Sequence, residues 1–551
     1  MKRIPDRLSD GIYDLCVIGG GIYGSCIARD AAQRGLRTAL VEKDDFGRGT
    51  TFHSQKTIHG GFRYLQNMDL PRIRSSVEER RAWFTVAPHL VYPSPFLIPT
   101  YRDGGKPRWL LGAALLVYDL LSLDRNRLDD PRRRIPRGRL IDRRESLETL
   151  PELDEPALTG GAVFHDGGIH NSERLLFGFL RSAAEDGATL VNYTEATGLI
   201  LEGGRAAGVR VRDRLQGDRS ERDVRARFVV NAAGPWAEGL NRRLTGEPVR
   251  PVPLLKVMYL IVRRPVPRGS VGLLGRHGRY FFLLPWHDHS LVGIAEFPVE
   301  KGDLERPAVR EEQVEGFLAE LRRARPGLGL RREDAAFVHT GLLPADERAA
   351  ARGEWKLTTK ARLIDHAREG GPAGLLSVVG IKFTMARRVA EGIVDRVFRD
   401  RGVKPPPCRT GITPLWGGSI GRFDEFLAGA IRRDGGALGE DTVRHLARNY
   451  GGAYPEVLAH TPVGRDPGTP FSPSSPVIAA EAVHAVREEA AMKLADVVFR
   501  RTELGLFGDP GDGALEECAA VVAAEAGWDG ARTKREIDET REVFRAGLRD
   551  G

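Results

Sequence analysis

From Thr50 to Leu65 the chain reads TTFHSQKTIHGGFRYL, which sets hydroxyls, a lysine, a histidine and a glycine pair ahead of an Arg-Tyr. Such residues can take a proton from a bound molecule and hold negative charge, and His59 is the first candidate base because imidazole titrates near neutrality. A structural histidine bonded to backbone or cofactor is the alternative. A second cation, Lys382 in the segment GIKFT, lies far along the chain. Metal chemistry is not expected. Cys16, Cys26, Cys408 and Cys518 are scattered with no CxxC pair and no histidine at ligand spacing, which argues against both a disulfide framework and a zinc site.

The stretch follows closely on a recognisable scaffold. Tyr13 to Gly19 (YDLCVIG) reads as a buried parallel strand, Ile22 to Arg34 as a helix ended by Gly35, and Arg37 to Glu42 (RTALVE) as a second buried strand. Gly19, Gly21 and Gly24 fit GxGxxG between the first strand and the helix, a turn that lets backbone approach a pyrophosphate at a helix N-terminus. Glu42 ends the second strand, where a carboxylate can accept from ribose hydroxyls. A nicotinamide enzyme would continue with alternating helices and parallel strands. Here the hydroxyl-rich loop comes instead, and the chain returns only later through a meander (Gly187 to Arg212) and the strand RFVVN (Arg227 to Asn231), which runs into AAGPW. That discontinuous build favours a flavin dinucleotide.

Beyond this, Leu254 to Val262 and Tyr280 to Ile294 read as longer strands of a second sheet. The chain turns helical from about Phe423, with apolar residues at helical spacing over Val477 to Leu504 and Ala514 to Ala526, and Arg465 to Pro476 is a Pro/Ser-rich connection.

With 551 residues, 41% hydrophobic and 29% charged, two or three domains are expected. The opening MKRIPDRLSDG does not read as a secretory signal, and no apolar run would span a bilayer, so a cytoplasmic protein is expected. The net charge of +8 is spread along an arginine-rich chain. Its densest cluster, PRRRIPRGR (Pro131 to Arg139), lacks aromatics and reads as a solvated loop rather than a nucleic-acid surface. Arg108 to Leu123 (RWLLGAALLVYDLLSL) suits either a helix lying on a membrane surface or a buried core helix.

KTIHGGFRYL resembles the stretch after the flavin pyrophosphate site in the FAD-dependent glycerol-3-phosphate dehydrogenase family, within the D-amino-acid-oxidase-like group. Further matches follow in order: Glu79 to Pro99, Arg227 to Trp236, Phe281 to Gly293, Leu375 to Glu391, Thr413 to Gly418 and Ala485 to Gly505. The resemblance implies an α/β (α+β) fold with a Rossmann-like FAD domain of glutathione-reductase type (1–90, 155–245 and 335–415), an interleaved substrate domain with an antiparallel sheet (91–154 and 246–334) and a helical C-terminal domain (416–551). It implies oxidation of a secondary alcohol of sn-glycerol 3-phosphate, with electrons passing to a quinone or another acceptor and peripheral contact with the inner face of the cytoplasmic membrane. Homodimer formation is left open. By the same resemblance Thr50, Thr51, Ser54 and Lys56 lie along the flavin phosphates and ribityl chain, and Gly60 and Gly61 let backbone approach the ring. Gly234, Gly380, Lys382 and Thr384 also bind cofactor, while Arg63 and Tyr64 face the substrate.

Several positions depart from that family's pattern. Thr340-Gly341-Leu342-Leu343-Pro344 puts leucine where the family has a substrate-phosphate arginine, and a second family arginine is here Lys360 or has shifted to Arg362. Gly293-Ile294-Ala295-Glu296 and Gly380-Ile381-Lys382 also differ. If the substrate is the family's, Arg63, Lys382 and Arg362 must carry its phosphate. The alternatives are a related hydroxy or amino compound with a less charged end, or a flavin-binding protein without catalytic activity.

Overall fold

The computed structural model describes residues 1–102, 105–216, 220–246, 252–263, 267–275, 279–545 and 548–549. Its first sheet is built on the strand Tyr13–Ile18, whose residues are almost all buried because the sheet is covered on both faces. The helix Ile22–Gln33 returns the chain to the parallel strand Thr38–Val41, as the apolar runs predict. Thr189–Val191 extends this edge in parallel, while Glu221–Asn231 and Leu375–Val379 build the other side, which Arg362–Asp365 closes antiparallel. The expected meander is redistributed. Thr189–Val191 joins the main sheet, and the antiparallel ribbon consists of Thr194–Glu202, Arg205–Asp213 and the first half of Glu221–Asn231.

The second sheet is mostly antiparallel and carries the long strands Val91–Tyr101, Leu158–Ile169, Leu254–Val262 and Ala335–Pro344. Tyr280 to Ile294 is not one strand but a hairpin, Tyr280–Trp286 and His289–Pro298, reversing at His287 with φ +52°. Apolar residues on both arms hide that turn, since neither glycine nor asparagine marks it.

The C-terminal region is helical, but Val477 to Leu504 is not continuous. A helix over Ala479–Glu488 breaks at Ala490 (φ +54°), and the chain resumes at Leu494–Asp496 and a wide turn over Val497–Arg501. Buried charges account for the break: Arg174 Nη1 meets Glu489 Oε2 at 2.7 Å and Arg501 Nη2 meets Asp45 Oδ1 at 2.7 Å, tying this region to the first domain. The Pro/Ser-rich connection contains a small hairpin, Pro470–Ser472 with Ser475–Ile478. The basic cluster at 131–139 is also not wholly solvated, because Arg133 is buried and donates to the carbonyls of Val91 and Pro88. Among the described residues no helix is long and apolar enough to cross a membrane. Arg108–Leu121 is not wholly a core helix. Leu111, Leu115 and Tyr118 are buried, whereas Trp109, Leu116 and Leu120 are largely exposed.

Candidate active site

A cleft of about 2250 Å³ runs from the glycine turn of the first sheet to the face of the second. Its closed end is made by the turn itself. Gly19 has φ +111°, and a Cβ there would stand 2.6 Å from the carbonyl oxygen of Ala232, so only glycine lets the two strand ends pass this closely. The helix leaves so tightly that a Cβ on Gly24 would reach 1.9 Å from the Gly19 carbonyl oxygen. Glu42 accepts from the amides of Gly20 (2.7 Å) and Asp44 (2.9 Å), and burial raises its pKa. Gly21 and Gly234, the latter with φ +58°, line the same end.

The hydroxyl-rich loop crosses the middle. Thr51 Oγ1 accepts from the Ile22 amide at 3.1 Å, and Thr50 Oγ1 donates to the Leu342 carbonyl at 3.0 Å, joining the loop to the first helix and to the second sheet. Ser54 donates to Ser172 at 3.0 Å. Lys56 is differently placed from a phosphate-binding lysine. It is buried, and its ammonium donates to Phe52 O (3.1 Å), Ser172 Oγ (2.7 Å) and Glu173 Oε1 (2.8 Å), which uses all three of its protons. Lys56 therefore braces the loop against the helix Ser172–Glu185.

The Lys382 segment meets the start of the first helix directly. Tyr23, on the first helix, donates its hydroxyl to the Lys382 carbonyl oxygen, and a Cβ on Gly380 would lie 2.1 Å from the Tyr23 ring. The Lys382 ammonium donates to the Tyr64 hydroxyl. Burial, reinforced by the charges of Arg63 and Arg72, lowers the Lys382 pKa to about 8, while burial raises that of Tyr64. Thr384 accepts from the His59 amide at 3.0 Å, so the two segments share one wall. Arg63 is exposed, lines the cleft, and makes no ion pair among the described residues.

His59 also lines the cleft, with Nδ1 3.3 Å from Asp166 Oδ2. Asp166 accepts from the Gly60 amide at 2.6 Å as well. Burial pushes its pKa up, but the hydrogen bond and charge of His59, with Arg80, outweigh this and hold it below the ordinary value. Gly60 and Gly61 pack against Arg80, Tyr118 and Ser76 with no room for a Cβ. A base whose Nδ1 is held by a carboxylate leaves Nε2 as its working nitrogen.

Arg362 is not brought to the cleft. It pairs with Glu347 at 2.7 Å and is absent from the lining, whereas Leu343 does line it. Sequence reasoning missed Asp166, Tyr23 and Lys106. Asp166 left one signal, a lone acid within an apolar strand. Tyr23 sits at a free position of the glycine motif, and Lys106, whose pKa is lowered by burial and by Arg63, follows a loop with no motif. His339 is fully buried, stacks on Phe52 and stays neutral, as a core histidine should.

The match to known proteins covers nearly the whole chain. Residues 14–396 fit the family model described as FAD dependent oxidoreductase, and residues 408–533 fit the C-terminal domain of alpha-glycerophosphate oxidase. The chain belongs to the FAD-dependent oxidoreductases, in their glycerol-3-phosphate dehydrogenase branch. The glycerol-3-phosphate dehydrogenase of Synechocystis is 31% identical over 99% of this chain and 98% of its own length. A probable mitochondrial one of Caenorhabditis elegans is 31% identical over 98% of this chain and 74% of its own. The solved glycerol-3-phosphate dehydrogenase of Bacillus halodurans, complexed with FAD, superposes with a TM-score of 0.77 at 26% identity, covering 98% and 96% of the two chains. This chain is thus an FAD-dependent dehydrogenase of mixed α/β fold with a helical C-terminal region. The cleft fits that cofactor: the glycine turn stands at one end, and Gly61, Gly234 and Gly380 border the rest, while Gly60 is turned toward Arg80 and Tyr118 and does not line it.

Proposed function

We propose that this dehydrogenase oxidises sn-glycerol 3-phosphate to dihydroxyacetone phosphate. The observation that carries the reading is the meeting, in one cleft, of the His59–Asp166 pair with the cations Arg63 and Lys382. FAD, when bound, would supply a two-electron acceptor for the hydride, with a quinone or another compound as the final acceptor. His59 Nε2 takes the hydroxyl proton as the carbon–hydrogen bond breaks, and Asp166 steadies the imidazolium that results. Lys382, Tyr64 and Arg63 hold the phosphate and the negative charge developing on oxygen. Gly19, Gly21, Gly24, Glu42, Thr50, Thr51 and Ser54 border the dinucleotide, and the division into a discontinuous FAD domain, a substrate domain and a C-terminal domain belongs to the same reading. Anaerobic addition of glycerol 3-phosphate to the yellow holoenzyme tests it. Bleaching is expected. Bleaching only by other alcohols or amines instead supports the second reading, a different small hydroxy or amino substrate, which Leu343 favours by placing an apolar side chain in the lining.

We further propose a cytoplasmic enzyme seated on the membrane surface. Trp109, Leu116, Leu120 and Leu123 form an exposed apolar face on and just beyond the helix whose Leu110 and Leu111 line the cleft, so a lipid-dissolved acceptor would have a short approach. Co-sedimentation with anionic vesicles, lost in Trp109→Ser/Leu120→Ser, is expected. A lipid-independent dimer that hides Trp109 would replace this reading.

A further inference from the structure

Among the described residues, three side chains of ligand type bring their donor atoms within 4.8 Å of one another: His170, His287 and Glu503. They come from three parts of the chain. His170 follows the strand Leu158–Ile169, His287 is the hairpin turn of the second sheet, and Glu503 follows the wide turn of the C-terminal region. We propose that His170, His287 and Glu503 form a binding site for one divalent transition-metal cation of the zinc class.

The geometry is that of a coordination edge rather than of hydrogen bonds. His287 Nε2 and His170 Nε2 lie 3.5 Å and 3.6 Å from the same oxygen, Glu503 Oε1. Both separations exceed hydrogen-bonding length, but bonds of usual zinc length at tetrahedral angles set neighbouring ligand atoms about 3.3–3.5 Å apart. The two imidazole rings lie with centroids 4.2 Å apart, so both Nε2 atoms face one carboxylate oxygen. His170 Nε2 is buried with no hydrogen-bond partner, which leaves a ligand nitrogen unused. Without metal, His287 Nε2 has an alternative partner, the His170 carbonyl oxygen at 3.1 Å, so binding exchanges that proton for the cation.

The outer contacts suit the role. Glu503 Oε2 faces His445 Nδ1 at 3.2 Å, and Asn171 donates to Glu503 Oε1 at 3.2 Å, which fixes the carboxylate as supporting residues do around metal centres. Glu503 is buried, so it is not one of the surface acids that cluster without consequence. The half-open His287 leaves the fourth position to water. Local spacing rules miss the site because no two of its ligands share a segment. Occupancy would pin three regions of the fold together close to the Lys56–Glu173 brace, since His170 lies two residues before Ser172.

The test uses the FAD-loaded full chain after treatment with a chelator. Calorimetric titration with Zn²⁺ reads stoichiometry, Co²⁺ reports tetrahedral geometry through absorption to the red of the flavin, and thermal unfolding with and without Zn²⁺ reads the coupling to stability. His287→Gly removes one ligand at a backbone angle glycine prefers, and Glu503→Gln removes another. One equivalent is expected in the wild-type protein with a raised melting temperature, weakened more than about a hundredfold in both variants. Absence of a stoichiometric equivalent, or an equivalent that persists in His287→Gly, overturns the proposal.

Discussion

The hydroxyl of Tyr23 donates to the carbonyl oxygen of Lys382 at 3.0 Å and accepts from the amide of Ile381 at 3.3 Å, which closes the cleft between the first helix and a segment far along the chain. Tyr23→Phe leaves a backbone amide and a carbonyl without their partner, at a cost of about 1–3 kcal/mol. Denaturant unfolding of the holoenzyme should register that loss together with weaker flavin retention. Unchanged stability and flavin content would mean this bond does not position the Lys382 segment.

His59→Asn should lower kcat by about 10²–10⁴-fold with flavin content preserved, the range a positioned base contributes. Asp166→Asn should produce a smaller fall, because Nδ1 keeps a neighbour but the imidazolium loses its counter-charge. Wild-type kcat in His59→Asn would assign His59 a structural role.

Lys382 has a pKa lowered to about 8 by burial and by Arg63 and Arg72. Its ammonium is charged below that pH and neutral above it, so its grip on an anionic substrate weakens as pH rises through 8. KM for glycerol 3-phosphate should climb above pH 8 by up to about tenfold per unit. Lys382→Arg should flatten that limb, since guanidinium stays charged. A pH profile identical in the two proteins would exclude Lys382 as the group responsible.

Leu343 lines the cleft from the strand Ala335–Pro344. Leu343→Arg should improve KM for the phosphate substrate by about 10–100-fold, the equivalent of about 1.5–3 kcal/mol for a charged hydrogen bond. Arg63→Ala should move KM the opposite way by a similar factor. No effect of Leu343→Arg would place the phosphate elsewhere in the cleft.

Lys56 and Glu173 are both buried, with Nζ 2.8 Å from Oε1. Lys56→Met leaves an unpaired buried carboxylate and should cost about 3–5 kcal/mol, most of which the double variant Lys56→Met/Glu173→Gln should recover. Urea unfolding of the three proteins measures both. A Lys56→Met protein as stable as wild type but depleted of flavin would restore Lys56 to the phosphate site.

The glycine turn, its flanking strands and helix, and Glu42 could be read from the residues alone because each depends on near neighbours: a buried strand is apolar, a tight turn needs glycine, and the helix begins within three residues of it. The hairpin at His287 and the break at Ala490 could not be read, since the first turns on a His-Asp pair with neither glycine nor asparagine and the second is imposed by buried ion pairs with Asp45 and Arg174. Arg362 stands two residues from where the family has an arginine, which suggests a substrate role, but it pairs with Glu347 and does not line the cleft.

By itself the sequence determined that a dinucleotide is cradled by a strand-turn-helix unit and that a hydroxyl-rich loop follows. Which charges stay free to act depends on how distant segments pack. Lys56 and Arg362 are each held in an ion pair, with Glu173 and Glu347, whereas Arg63 and Lys382 line the cleft without a carboxylate partner among the described residues, and Asp166 arrives beside His59 from another strand. The reason is physical: backbone conformation responds to local side chains, but the reactivity of a charged group depends on what lies within a few ångströms of it, and that neighbourhood is assembled by distant segments.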